Sequence, residues 1–224
     1  MASEANRQQL ERMFEAMVAA NHGMIEQLGQ IPDDIVEEAR TNFREMLDVV
    51  PYVDDLAHTM ASSMHFCAVL LAVYLAMRAR GVDVHDFGAH MLDGMRRRLE
   101  QMTPPLSDSP NSARVEHARE SQQQAADNEF VFEVLGTEGE PGQWAMSIKS
   151  CAICSLYGKY DAMDLVPYMC ASDDVVSDIA GQGLRRTGSI ALGASHCDFV
   201  FNAGGEGQHL SALYPDRIRL LDAD

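Results

Sequence analysis

The chain has 224 residues, 46% hydrophobic and 23% charged, which suits one globular domain with a real core and a distinct N-terminal subdomain. Asp and Glu number 34 against 17 Lys and Arg, for a net charge of −17. Binding to phosphate backbones or anionic lipid needs a positive footprint, so nucleic acid and membrane surfaces are excluded as partners and a small-molecule substrate is expected.

The first residues, MASEANRQQLERMF, are polar and amphipathic, without the apolar stretch of an export signal. With five cysteines, an odd number, the chain is expected in a reducing cytoplasm with free thiols. Leu10, Met13, Phe14 and Met17, continuing to Met24, Ile25 and Leu28, give the i, i+3, i+4, i+7 stripe of one amphipathic helix that ends at Gly29 and Pro32. Asp33 is placed to cap a second helix that runs to Pro51. The apolar run Met64 to Met77 falls short of the roughly 20 residues that cross a bilayer and reads as a buried core helix, closed by Arg78, Arg80 and Gly81. A fourth helix, VHDFGAHMLDGMRRRLEQM, stops before Pro104 and Pro105. The apolar stripes on the first helices also suit a homodimer.

Residues 103–128 read as a linker or an exposed helix, after which the composition changes. EFVFEVLG and QWAMSIKS are strand-like runs joined by the turn TEGEPG. GLRRTGSIALG and HCDFVFNAG form a second such pair, and the tail is expected to add a last short strand. The expected organisation is a helical N-terminal subdomain over 1–102 and an α+β domain over 129–224, with about four antiparallel strands.

Three of the five cysteines crowd into CAICSLYGKYDAMDLVPYMCASDD, residues 151–174. Cys151 and Cys154 have the spacing of a zinc half-site that Cys170 with Cys197 or His196 could complete, but a second close pair is missing, and no cofactor is expected. The same CxxC is a redox motif if it opens a helix after a strand, although no thioredoxin-like βαβ pattern surrounds it. A third reading is a thiol–carboxylate site. Cys170 with Asp173 and Asp174 shares one helix face, and Cys197 stands beside Asp198 and His196. Arg185, Arg186 and Thr187 offer donors for a substrate carboxylate. Such a set suits addition to a polarised C=N or C=O carbon. Cys67, Cys154 and His65 read as core, the Asp54-Asp55 pair as a solvated helix start, and His22, His58, His85, His90, His117 and His209 as surface residues.

The order of these elements resembles the L-2-amino-thiazoline-4-carboxylate hydrolase family over Ile148 to Phe201. There a cysteine follows a strand, then come a proline-containing segment with C-x-x-D, an arginine-led strand entry and C-D-F. Here they stand as Cys151, MDLVPYMCASD, RRTGSIALG and HCDFVF, although Met163-Asp164-Leu165 and Thr187-Gly188-Ser189 depart from the pattern. The resemblance implies a hydrolase of small-molecule metabolism that opens a ring containing nitrogen or sulfur. In the named activity, water adds to the amidine-like carbon of a 2-aminothiazoline and the ring opens toward N-carbamoyl-cysteine. The matching positions are Cys151, Cys170, Asp173, Cys197 and Asp198, with Cys170 expected as nucleophile or key thiol and Asp173 or Asp198 as general base. The same half also resembles the vinyl-reductase type of small-molecule-binding domain, with Ser189 where that domain carries a cysteine. That makes a non-catalytic ligand sensor the alternative.

Overall fold

A computed structural model describes residues 3–102, 112–124, 128–136 and 142–221. Five helices precede residue 103, not four, because the first expected helix is two. α1 (Glu4–Ala19) starts at Ser3, whose side chain accepts from the Asn6 amide at 3.1 Å, and buries Leu10, Phe14 and Val18. It breaks at Asn21, whose side chain donates to the Met17 carbonyl at 2.6 Å while its own amide turns back to Val18. A capped carbonyl cannot propagate the ladder, so α2 (His22–Gln27) starts afresh.

α3 (Pro32–Met46) places Pro32 at its first position, with Asp33 and Asp34 in the first turn, so Asp33 supports the helix dipole without being the cap. Phe43 on α3 stacks on Phe14 of α1 at 5.1 Å. α4 (Ala61–Arg78) is the spine. Its length and composition would suit a membrane span, but 72% of it is buried inside the fold. The Asp54-Asp55 pair is exposed but starts no helix, since α4 begins only at Ala61. α5 (Val84–Met102) has the expected bounds. The stretch after the linker is a helix, α6 (Ser112–Gln124). Residues 103–111 of the linker and 137–141 of the expected hairpin turn lie outside the described residues.

β1 (Val131–Leu135), β2 (Gln143–Ser150) and β3 (Cys197–Asn202) form an antiparallel sheet in that order. The register opposes Trp144 to Phe201, Met146 to Phe199 and Ile148 to Cys197, so one sheet face is buried and joins the helices in a single core. Between β2 and β3 lie α7 (Ala152–Lys159) and α8 (Val166–Ala180), which ends on Gly181 in the left-handed region at φ +62°. α5 and α8 pack so closely at Gly88 that a Cβ there would stand 2.3 Å from the Tyr168 ring.

Two further expectations are corrected. GLRRTGSIALG is not a strand among the described residues: Arg185 makes isolated bridges only, and Ile190–Leu192 is a 3₁₀ turn. The reason is local, because the Thr187 and Gly188 amides that would feed a ladder are taken by the Asp198 carboxylate. The tail forms a short helix, α9 (Leu210–Leu213), in place of a strand.

Candidate active site

Four elements deliver sulfur to one place. Cys67 comes from α4, Cys151 from the end of β2, Cys170 from α8 and Cys197 from β3. Cys151 and Cys197 stand near enough for their charges to act on Cys170, and Cys151, Cys170 and Asp173 near enough to act on Cys67. The Tyr157 hydroxyl ties α7 to α4 by donating to the Cys67 carbonyl at 2.9 Å. Cys67, expected as core, is buried, and it is also part of this cluster.

Arg186 holds the cluster from behind. Its side chain is fully buried and donates from Nη2 to the Cys170 carbonyl at 2.5 Å and to Asp174 at 2.7 Å, and from Nη1 to Asp173 at 3.2 Å. It also lies over the Phe199 ring at 4.8 Å, a cation–π contact. Burial works against this charge, but Asp173 and Asp174 outweigh it and keep the guanidinium protonated. Asp174 is spent on both sides, since its second oxygen accepts from the Leu210 amide at 2.8 Å. Asp173 keeps a side chain 49% exposed, which makes it the carboxylate at the solvent edge of the cluster.

The thiols are kept neutral. Burial pushes Cys170 far above the ordinary thiol range, with Arg186 only partly opposing it, and pushes Cys197 up to about 11. Cys151 is pushed up first by the Cys154 thiol beside it and then by burial. The buried Ser189 hydroxyl and Arg186 Nε lack a hydrogen-bond partner among the described residues.

The expected residues thus divide. Cys151, Cys170, Cys197, Asp173 and Arg186 meet, although Arg186 is a buried brace and not a substrate anchor. Asp198 accepts from the Thr187 amide and hydroxyl and from the Gly188 amide; these outweigh the burial that opposes its charge and hold its carboxyl below the ordinary range. It anchors the 187–189 loop, and Thr187 is spent on it. Arg185 is exposed and lines a separate cleft of about 460 Å³ with Trp144 and Val200. His196 pairs with the Ser195 hydroxyl at 3.1 Å. Among the described residues, no three His, Cys, Asp or Glu side chains are grouped as a metal ion would require.

Two histidines assigned to the surface belong elsewhere. His117 is 9% exposed and meets His58 at 3.9 Å edge-to-face, while His58 stacks on Tyr52 at 3.7 Å. They line a cleft of about 660 Å³ together with Asp55, Glu120 and Glu129. His65 is buried with Nε2 lacking a partner among the described residues, so it is not the satisfied core histidine its position suggested. Nothing in local spacing marks the pair, because His58 and His117 come from distant segments.

Burial holds His65 at about 4 and, with help from His58, His117 at about 4. Both folded values lie below the ordinary 6.5, so the unfolded chain takes up these protons first as the pH falls. Their contribution is intact above pH 6.5 and is lost as the pH falls toward 4. Urea midpoints are therefore expected to drop between pH 7 and 4.5, and less so in His117→Gln.

A sulfur cluster braced by a buried arginine, with a carboxylate at its rim, has the makings of a small-molecule site on an α+β frame. Residues 62–201 match the family L-2-amino-thiazoline-4-carboxylic acid hydrolase, so that more than half of the chain is covered and the protein belongs to that family. The match takes in α4 and α5 as well as the sheet, and every residue of the cluster lies within it. No curated protein and no solved structure matches the chain.

Proposed function

We propose that the protein is a hydrolase that opens a small ring of the 2-aminothiazoline-carboxylate type by direct attack of water, with Asp173 as general base. The family name supports the hydrolase class. The observation that carries the mechanism is that Asp173 joins a half-exposed side chain to an ion pair with Arg186 beside the thiols, whereas Asp174 is buried and Asp198 holds the Thr187 and Gly188 amides. Cys170 is expected as nucleophile or key thiol. Desolvation holds its thiol protonated, so water under carboxylate control is the better attacking group and the sulfurs serve as a polarizable wall.

In this reading Asp173 takes a proton from water as its oxygen bonds to the amidine-like carbon. The carbon–sulfur bond then breaks, the departing sulfur takes up that proton, and the remaining hydroxyl proton passes to the ring nitrogen as the carbon becomes a carbamoyl carbonyl on nitrogen. The sum is substrate plus one water. Arg186 positions Asp173 through their 3.2 Å ion pair. Incubating the protein with 2-aminothiazoline-4-carboxylate is expected to yield a product heavier by one water and bearing a new free thiol, read by mass spectrometry and thiol titration. A ligand that binds saturably and returns unaltered would make the protein a binding module instead.

A further inference from the structure

The structure supplies what the CxxC motif lacked as sequence. β2 ends at Ser150 and α7 begins at Ala152, so Cys151 is the helix N-cap, at φ −113° and ψ 110°, and Cys154 stands in the first turn. Residues three apart on a helix share a face, about 5–6 Å between Cβ atoms, and a disulfide spans Cα separations of about 4.4–6.8 Å. Cys151 makes no side-chain hydrogen bond as the cap of α7, and the neighbouring Cys154 thiol acts on it more strongly than any other group. Both cysteines are only partly buried, as is Cys170, whereas Cys67 and Cys197 are buried. A helix N-terminus also favours sulfur that carries negative charge during exchange.

We propose that Cys151 and Cys154 form a redox-active dithiol that closes to a disulfide by exchange with low-molecular-weight disulfides. All five cysteines are free in this structure. With glutathione disulfide as oxidant, Cys154 sulfur attacks one glutathione sulfur, the S–S bond of the reagent breaks, and the released glutathione thiolate takes the Cys154 proton. Cys151 sulfur then attacks Cys154 sulfur, the mixed disulfide breaks, and the second glutathione leaves with the Cys151 proton. Two protein thiols are oxidised and one external disulfide is reduced to two thiols. Because the neighbouring thiol keeps Cys151 protonated, the second step is the slower one and the mixed disulfide resides on Cys154. The antiparallel sheet beneath the motif is no obstacle, since the exchange needs only the strand end, the helix start and access from solvent.

The test equilibrates the full chain in buffers of varied glutathione to glutathione-disulfide ratio, blocks the remaining thiols by alkylation, and maps the peptides by mass spectrometry. A single Cys151–Cys154 disulfide that reopens with dithiothreitol is expected. Cys151→Ser is expected to trap glutathione on Cys154, and Cys154→Ser to take up none at Cys151. Five alkylatable cysteines in the most oxidising buffer would overturn the proposal, as would a bridge from Cys151 to Cys170 or Cys197. The wild-type map decides the matter even if a variant fails to fold. None of these readouts depends on hydrolysis, so the dithiol and the ring-opening reading stand or fall separately.

Discussion

Asp174→Ala is expected to lower stability by about 3–5 kcal/mol, because it strips the principal counter-charge from a fully buried arginine. The Asp174 side chain is 6% exposed and serves two donors, Arg186 Nη2 and the Leu210 amide. Its removal leaves Asp173, 3.2 Å away at the solvent edge where the attraction is screened, to oppose the Arg186 charge, and it orphans the amide that opens α9. For a chain of this size the loss corresponds to a melting point lower by roughly 6–20 °C. Pairing the change with Arg186→Met should recover part of it, since the penalty is dominated by an uncompensated charge and not by the net value of the ion pair. Denaturant titration of the two single variants and the double variant gives the answer. An Asp174→Ala protein within about 1 kcal/mol of the wild type would mean that Arg186 is not braced as described.

Much of this centre was legible before any coordinates, and the reasons are particular. Cys170 and Asp173 fall on one helix turn, and helix periodicity is a strong local signal. Cys151 directly follows a clean alternating strand, so its place at a strand end could be read. Arg186 was visible as a cation, but its role was not, because burial is set by what α8 and β3 do around it. The failed strand at Thr187 has the same origin. Its residues have strand-like propensity, yet a carboxylate from β3, eleven residues on, claims the amides first. The break at Asn21 is a competition of the same kind inside one helix, where a side-chain amide displaces a backbone one. His58 and His117 were missed because their contact is purely tertiary. Where a side chain competes for backbone groups, or where two distant segments meet, a one-dimensional pattern has nothing to register.

The sharpest consequence for chemistry separates Asp173 from Asp198, which look equivalent as sequence. Asp173→Asn is expected to reduce kcat for ring opening by about 100- to 10,000-fold, the usual worth of a positioned general base, with little change in KM. Its stability cost should be about 1 kcal/mol or less, since the lost ion pair is half exposed. Asp198→Asn should behave the other way round. It weakens a carboxylate that holds two amides and a hydroxyl, costing about 1–3 kcal/mol, while an intact Asp173 continues to activate water. Cys170→Ala completes the set: attack by water predicts turnover within about tenfold of the wild type, whereas a covalent thiol intermediate predicts its loss. Turnover measured beside urea denaturation for the three variants places the reaction at the rim of the cluster or within it. Activity that survives Asp173→Asn at wild-type stability would remove the base from the mechanism.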